Sequence, residues 1–335
     1  MIFRAIDMKA AIVTGAGRAP IYADFESPQA APGEVLIDIT AAALSHVTKA
    51  RAAGTHYSSA GVYPFVVGLD GVGRRQDGKR VFFLLPRAPF GGMAERTVVN
   101  ASHCIAVPDQ LDDVTAAAIA NPGMSSWAAL KERARLLPGE NVLVNGATGS
   151  SGRLAVQIAQ HLGAKKIVAT GRDSGVLNSL AALGADVAIS LLQDGDALDA
   201  AFSEQFAGDG VDIVLDYLWG PSAERLLGAA AKSGKDGVPI RFVQIGSIGG
   251  QTIPLAATVI RSSSLQLIGS GIGSVPFGRM CNAIAELFQA TVANRFKLAT
   301  KAVPLADVAN HWARNNATIR TVFVTGGGAE RTSAG

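Results

Sequence analysis

The chain has 335 residues, of which 48% are hydrophobic and 17% charged, and its 30 basic and 27 acidic residues give a net charge of +3. These values exclude a disordered chain and indicate a globular protein of about two domains; the basic residues form no run that predicts a nucleic-acid surface, and no apolar run reaches the roughly 18 residues that cross a membrane. The two cysteines, Cys104 and Cys281, are too few for a disulfide framework or a cysteine zinc cluster and favour a cytoplasmic protein.

The first third of the chain is predicted to be rich in β-strands. Short apolar runs separated by turns and prolines predict strands at 10–14, 35–41, 80–84 and 95–99. Gly15 and Gly17 follow the first strand, but Pro20 comes next and no amphipathic helix opens there. We therefore interpret this glycine-rich stretch as a hairpin turn rather than a ligand site.

A second glycine-rich stretch has a different context. The apolar run 141–145 is followed by Gly146, Gly149 and Gly152 at three-residue spacing, and then by a helix with one apolar face, predicted from Leu154 and Ile158. Glycine lets backbone N–H groups approach a pyrophosphate, and the start of a helix carries partial positive charge. This pattern predicts a dinucleotide site.

Strands and helices alternate after residue 122. Strands are predicted at 167–170, 187–190, 211–217, 240–245 and 265–269, with helices near 176–183, 197–206 and 222–231. Such alternation is typical of a parallel sheet with helices on both faces. A helix at 276–293 and a strand at 319–325 are expected to return to the first domain. The predicted domains are 1–121 with 276–330, and 122–275, leaving 331–335 as a disordered tail.

The end of the second predicted strand indicates the cofactor. An acidic residue at this point accepts hydrogen bonds from the adenosine ribose of NAD, whereas this strand ends in Gly171-Arg172. A guanidinium group suits the 2′-phosphate of NADPH because it bonds phosphate through two parallel donors. Arg172 therefore favours NADPH. Asp173, the next residue, leaves open an NAD-type carboxylate.

In this order of parts the chain resembles the medium-chain dehydrogenase/reductase superfamily, within it the zinc-independent quinone oxidoreductase (zeta-crystallin-like) branch. The resemblance spans 8–325 and is carried by nine segments: 8–10, 32–36, 68–73, 78–81, 91–95, 122–127, 138–144, 146–152 and 246–247. It implies an α/β fold, with a Rossmann doubly wound parallel sheet and a GroES-like β-rich barrel domain. It also implies a homodimer, for which the edge strand at 264–269 offers an unpaired apolar edge.

The resemblance locates the positions that bind catalytic zinc in related alcohol dehydrogenases. Here these positions hold Ser45, Leu69 and Asn121, of which two are poor zinc ligands and one cannot ligate. His46, His56 and His103 are isolated histidines that do not replace them. Without a Lewis acid the acceptor must already be electron-poor. A quinone or an α,β-unsaturated carbonyl is therefore the expected acceptor.

The resemblance also assigns site residues. Ser45 lies at the substrate mouth, and Tyr57 orients the carbonyl, donates a proton or packs. Arg320 approaches the cofactor or is a surface charge. Phe65, Met124, Trp127 and Phe277 suggest an apolar acceptor or serve equally well as packing residues. The expected cofactor-binding residues are Ser125, Gly146, Ala147, Thr148, Gly149, Ser150, Ser151, Gly152, Gly171, Arg172, Gly246, Ser247, Gly269, Gly271 and Arg320.

Three other interpretations compete with this one. A short-chain dehydrogenase is excluded because no lysine lies four residues after any of the four tyrosines. A zinc-dependent alcohol dehydrogenase would require stoichiometric zinc. A non-catalytic NADPH-binding protein, structural or regulatory, stays open because no residue is indispensable in the way that a triad serine is.

Overall fold

The computed structural model describes residues 7–326 apart from 57, 58, 60 and 315–317. The chain forms two compact units. The first comprises Met1–Asn121, Ile284–Val292 and Leu298–Gly335, and the second comprises Pro122–Ala283 and Ala293–Lys297. Among the described residues, none of the helices combines the length and the apolar character that crossing a bilayer requires.

The first unit begins with short strands, as the turn-rich sequence predicts. Its first elements are β1 (Asp7–Val13), β2 (Ile21–Glu26), β3 (Glu34–Ala43), α1 (His46–Ala52), β4 (Phe65–Val66), β5 (Asp70–Arg75), β6 (Arg80–Leu84), β7 (Arg96–Asn100) and β8 (Cys104–Ala106). β1 and β2 pair antiparallel, with Ile12 opposite Ile21, so the predicted hairpin at Gly15 and Gly17 is confirmed. Half-buried residues alternate with exposed ones along most of β2, and buried residues alternate with less buried ones in the middle of β3. One face of each strand therefore lies toward the core.

Two helices of this region were not predicted, and the expectation of strands and turns alone is wrong there. α1 begins at a capping residue, because the Ser45 side chain accepts a hydrogen bond from the Thr48 N–H. α2 (Asp113–Ala128) continues into a π-helical turn, Ala129–Ala134. Residues 116–120 of α2 are 0% exposed. A helix buried on every side has no polar face, so its sequence lacks the helical periodicity.

The second unit alternates strands and helices in the predicted order. It contains β9 (Asn141–Asn145), α3 (Ser150–His161), β10 (Lys166–Gly171), α4 (Ser174–Ser179), β11 (Val187–Ser190), α5 (Gly195–Ala207), β12 (Ile213–Asp216), α6 (Gly220–Ser233), β13 (Ile240–Gln244), α7 (Ala257–Arg261), β14 (Leu265–Gly269) and the first half of α8 (Phe277–Asn294). All five strand pairs are parallel, in the order β11-β10-β9-β12-β13-β14. This is the doubly wound arrangement, and β14 lies at its edge as predicted.

The chain first returns to the first unit within α8, of which Ile284–Val292 belong to that unit, and it stays there from Leu298 onward. β15 (Thr300–Pro304), α9 (Val308–Trp312) and β16 (Arg320–Val324) are its last described elements. β16 pairs with β3 in a sheet of order β15-β16-β3-β5-β6-β8, to which β7 adds along β3. The prediction that the last strand belongs to the first domain's sheet is confirmed. A second sheet of this unit has the order β2-β1-β4.

Candidate active site

The glycine turn between β9 and α3 has the geometry of a dinucleotide cradle. Gly146 has a φ of +92°, a conformation that glycine adopts without strain. A side chain at Gly152 would place its Cβ 2.4 Å from the Gly146 carbonyl oxygen, so glycine is required for α3 to approach the turn this closely. A Cβ at Gly149 would meet nothing within 4 Å. The turn is therefore tight beneath the helix and open above its first residues, Ser150 and Ser151.

A buried polar network fixes this turn from below. The Thr170 hydroxyl donates to Asn145 Oδ1 (2.7 Å) and accepts from the Gly146 N–H (3.2 Å). Asn145 Nδ2 donates to Asp216 Oδ1 (2.8 Å), and Asp216 also accepts from the Leu218 N–H (3.1 Å). Burial raises the pKa of Asp216. A polar residue at or near the end of each of three buried strands is the sequence signal that could have revealed this network.

The two candidates for recognising the adenosine ribose, Arg172 and Asp173, follow β10 and have different surroundings. Asp173 caps α4, since its Oδ1 accepts a hydrogen bond from the Val176 N–H at 3.0 Å. Arg172 is exposed and makes no hydrogen bond or ion pair with the described part of the chain. Thr148 of the glycine turn lies against Gly171, where a Cβ would be 2.3 Å from Thr148 Cγ2. Gly171 and Arg172 thus adjoin the turn, while the Asp173 carboxylate has a structural partner.

Three hydroxyl groups connect α2 to the sheet. Ser126 Oγ lies 2.7 Å from the Tyr217 hydroxyl oxygen and 3.2 Å from the Ser151 carbonyl. Tyr217 is also hydrogen-bonded to Ser125, and its burial raises the pKa of the phenol. The Tyr217 carbonyl in turn lies against Gly246, where a Cβ would be 2.5 Å away. Predicted cofactor residues from three segments are therefore joined through Tyr217 and Ser126, whose roles sequence reasoning missed.

The loops after β13 and β14 carry the remaining cofactor candidates of this unit. Gln244 Nε2 donates to the Gly246 carbonyl (2.9 Å), and Gln251 Nε2 donates to Ser247 Oγ (3.1 Å). After β14, the Gly271 N–H donates to Ser274 Oγ at 2.8 Å. Because parallel strands end at the same edge of a sheet, these loops and the glycine turn share that edge.

The four apolar residues that the sequence suggests for an apolar acceptor all pack against other side chains. Trp127 is buried and its ring centroid lies 5.7 Å from that of His161. Met124 and Phe277 pack against a small buried cluster containing Val275 and Met280. Phe65, in the first unit, lies 5.4 Å from the Tyr63 ring. Packing therefore accounts for these contacts.

In the first unit, the three positions equivalent to zinc ligands have other partners. Ser45 Oγ accepts from the Thr48 N–H at 3.0 Å and lies 2.8 Å from Thr48 Oγ1. Leu69 is buried and apolar. Asn121 Nδ2 donates to Asp70 Oδ2 at 2.9 Å. A hydroxyl committed to a helix cap, an alkyl group and an amide do not form a zinc-binding donor set, so these residues do not fit the metal.

The histidines do not complete such a site. Burial, together with the charges of Lys49 and Arg320, lowers the pKa of His46. His103 Nδ1 lies 3.2 Å from the Leu84 carbonyl oxygen. Across the residues that the structure describes, no group of three or more His, Cys, Asp or Glu side chains is placed to hold a metal ion. Tyr57, the predicted aromatic residue of the substrate site, lies outside the described residues.

Asp70 is buried, and the half-buried Arg320 is close enough for their charges to influence each other. Burial raises the pKa of Asp70 to about 6, although Asn121 and Arg320 both oppose the shift. Burial lowers the pKa of the Arg320 guanidinium, and its Nε and Nη2 atoms are buried without a hydrogen-bond partner in the described part of the chain. Arg320 is therefore not the solvated surface charge that the sequence left open.

The raised pKa of Asp70 predicts a pH-dependent loss of stability. A carboxyl group whose pKa rises on folding stabilises the native state most below its unfolded pKa, and this contribution is lost as pH rises from about 4 to about 6. Relative to wild type, Asp70→Asn should gain up to about 3 kcal/mol in the free energy of unfolding between pH 4 and pH 7. Urea unfolding across this range measures the difference, with the exposed Asp109→Asn as control. If the difference in the free energy of unfolding between Asp70→Asn and wild type did not change with pH, the conclusion that burial raises the pKa of Asp70 would be wrong.

The comparisons with known proteins agree with this geometry. The family model described as "Zinc-binding dehydrogenase" matches residues 152–289. A probable NADPH-dependent quinone reductase (tdiC) from Emericella nidulans is 27% identical over 91% of this chain and 96% of its own length. The quinone oxidoreductase from Thermus thermophilus, solved also in complex with NADPH, has a TM-score of 0.77 at 25% identity and covers 95% of this chain and 100% of its own.

A further relative is the polyketide synthase GfsB from Streptomyces halstedii, which is 34% identical over 56% of this chain. That match covers only 3% of the synthase, so it concerns one small part of a much larger protein. The fold is thus that of the structural neighbours, with a Rossmann unit and a GroES-like unit. The matches over nearly the whole chain support an oxidoreductase of the quinone reductase type. These matches support the resemblance to the quinone oxidoreductase branch of the medium-chain dehydrogenase/reductase superfamily.

Proposed function

We propose that this protein transfers hydride from NADPH to a quinone or an α,β-unsaturated carbonyl without a catalytic zinc ion. The observation that carries the proposal is the open glycine turn at the start of α3, together with Arg172, which follows Gly171 and is exposed without a partner among the described residues. A dinucleotide pyrophosphate fits above Gly149, where the N–H groups of the first helical turn are free of side-chain caps.

NADPH is the cofactor, and Arg172 is the residue that favours it over NADH. The names of the Emericella nidulans relative and of the Thermus thermophilus complex both refer to NADPH. In this chain the Asp173 carboxylate caps α4, which weakens the alternative in which it holds an unmodified ribose. The exposed guanidinium of Arg172 provides the planar donor pair that a 2′-phosphate needs.

The acceptor follows from the chemistry of the first unit. When bound, NADPH supplies a hydride from its nicotinamide ring. Ser45, Leu69 and Asn121 provide no Lewis acid to stabilise an alkoxide, so a simple alcohol is a poor partner at neutral pH. A quinone or enone delocalises the incoming electron pair onto oxygen and then takes a proton. The protein contributes by holding cofactor and acceptor in a reactive arrangement and by excluding water.

The roles of the remaining site residues follow from their chemistry. Ser45 keeps a hydroxyl hydrogen bond with Thr48, and it contributes a polar contact at the substrate mouth. Tyr57 supplies a phenol that orients the carbonyl of the acceptor or donates the proton that the acceptor takes up. Ser125, held by Tyr217, contacts the cofactor ribose or phosphate. Arg320 remains an expected cofactor-binding residue, because its buried Nε and Nη2 atoms have no hydrogen-bond partner among the described residues.

The proposed assembly is a homodimer formed through β14. This strand is the edge of the parallel sheet, and it exposes Leu267 (43% exposed). An edge strand with free backbone groups and apolar side chains pairs readily with a second copy across a two-fold axis. Such pairing continues the six-stranded sheet into a twelve-stranded one.

Three measurements on the purified protein test its function, its metal content and its assembly. The purified protein should oxidise NADPH in the presence of 1,4-benzoquinone or an α,β-unsaturated ketone, and a chelator should not reduce the rate. Elemental analysis should find far less than one zinc per chain. Light scattering should give the mass of two 34.4 kDa chains. Cofactor binding without oxidation of any acceptor would favour the non-catalytic NADPH-binding protein, and alcohol oxidation with stoichiometric zinc would favour the zinc-dependent enzyme.

A further inference from the structure

The loop that follows β14 is held at both ends by one arginine side chain. Arg133 Nε donates to the Gly269 carbonyl at 2.8 Å, and Arg133 Nη1 donates to the Ser274 carbonyl at 3.3 Å. The planar guanidinium therefore joins the first and last residues of the segment 269–274, which we name the carboxyl-edge loop. The sequence motifs assign no role to Arg133.

The loop also has an internal fastening. The Gly271 N–H donates to Ser274 Oγ at 2.8 Å, and the Ser274 hydroxyl donates to the Gly271 carbonyl at 2.8 Å. The Ser270 N–H donates to the Gln244 carbonyl at 2.8 Å, which ties the loop to the end of β13. With these bonds formed, the two contacts from Arg133 leave the carboxyl-edge loop little freedom.

Arg133 is itself presented from a rigid support. It lies in the π-helical turn Ala129–Ala134, and such turns recur at functional sites. Arg241 of β13 donates to the Ala134 carbonyl at 2.7 Å and pairs with Glu140. The π-helical turn is therefore anchored to the sheet directly beside Arg133. The backbone beside Arg133 is held against the sheet, and the Arg133 guanidinium is bonded to the carboxyl-edge loop. Arg133 therefore fixes the loop relative to the sheet.

We propose that Arg133 is a positioning residue for the nicotinamide half of the cofactor. The resemblance to quinone oxidoreductases implies that the backbone of 269–272, which follows the last strand of the parallel sheet, faces the nicotinamide carboxamide. Arg133 fixes the carboxyl-edge loop in that position. This inference rests on the proposed NADPH-dependent function. It assigns the adenosine half, held by the glycine turn and Arg172, to residues that do not depend on Arg133. The two halves of the cofactor should therefore respond differently to its replacement.

The test compares NADPH with 2′,5′-ADP, which carries the 2′-phosphate and adenosine but no nicotinamide. Arg133→Met should weaken NADPH binding by about tenfold, the effect of losing hydrogen bonds from a charged donor. Binding of 2′,5′-ADP should change by less than about twofold. Arg133→Lys should resemble Arg133→Met, because an ammonium group is a single point donor that does not span two carbonyls.

Two further variants keep the test decisive. Lys131→Met removes an exposed cation from the same helical turn and should leave both ligands unaffected. Ser274→Ala removes the hydrogen bonds between Gly271 and the Ser274 hydroxyl, and it should weaken the binding of NADPH but not of 2′,5′-ADP. This variant tests the inference even if Arg133→Met does not fold. Circular dichroism melting of each variant separates loss of fold from loss of positioning.

The outcomes separate this inference from the function on which it rests. If wild-type protein binds neither NADPH nor 2′,5′-ADP, the proposed function is wrong. If wild type binds both, and Arg133→Met weakens both equally or neither, then Arg133 is only a structural residue and the inference is overturned while the proposed function stands. A rise in KM for NADPH with unchanged binding of 2′,5′-ADP supports it.

Discussion

Gly149→Asp is expected to lower the affinity for NADPH by at least about 100-fold while leaving the protein folded. Gly149 is the residue that precedes α3, and its φ of −80° and ψ of 170° suit any amino acid. Aspartate is a preferred residue at this capping position, so stability should hold or rise slightly. A carboxylate about 4 Å from a phosphate repels it by roughly 4 kcal/mol at partly screened sites. Fluorescence titration with NADPH measures the loss.

Three control variants separate charge, space and fold at this turn. Gly149→Ser fills the same space without charge and should lose clearly less affinity. Gly152→Ala should instead destabilise the protein, because its Cβ would lie 2.4 Å from the Gly146 carbonyl oxygen. Gly228→Ala, in α6 with nothing within 4 Å of the new Cβ, should leave NADPH binding unchanged. Wild-type NADPH affinity in folded Gly149→Asp would show that the pyrophosphate does not bind at this turn.

Arg172→Ala is expected to remove the preference for NADPH over NADH. The lost charge-assisted bonds to a 2′-phosphate correspond to about 2 kcal/mol, or roughly 30-fold in kcat/KM for NADPH. The value for NADH should change by less than about threefold, since NADH lacks that phosphate. Because Arg172 is exposed and unpartnered in the described part of the chain, thermal stability should not change. Steady-state kinetics with both cofactors measures the switch.

The neighbouring residue provides the matched control. Asp173→Ser keeps a capping oxygen for α4 and removes the carboxylate. If Arg172 is the selective residue, Asp173→Ser should leave the NADPH preference intact. A fall in NADH activity on Asp173→Ser, with Arg172→Ala silent, would instead identify Asp173 as the residue that binds the ribose.

The sequence predicted the parallel sheet more completely than the first unit. β9, β11 and β14 have the predicted limits, and the other strands of this sheet differ by a few residues at their ends. Periodicity and glycine spacing are local properties, so they are visible in one sequence. α2 was missed because its residues 116–120 are buried on all sides, and a helix without a polar face has no periodic signal.

The residues of the candidate site also divide into those that the sequence indicated and those that it did not. The glycine turn and Arg172 were recognised because their residue types and spacing carry the chemistry. Tyr217 and Arg133 were not, because each acts through partners about 90 to 140 positions away in the chain. Asp70 was seen only as part of a motif, and its raised pKa arises from burial, which no motif specifies. Only the structure shows that the Asp173 carboxylate accepts a hydrogen bond at the start of α4.

The sequence by itself determined the alternation that builds the parallel sheet, the glycine turn before α3 and the absence of zinc-binding residue types at three positions. These follow from residue identity and short spacing, where steric and chemical rules act over a few residues. Only the tertiary structure decided which polar groups meet: Arg133 with the carboxyl-edge loop, Tyr217 with Ser126, and Asp70 with Asn121. Burial and hydrogen-bond partnership are properties of the packed chain, because they depend on segments that come together only when the sheets form.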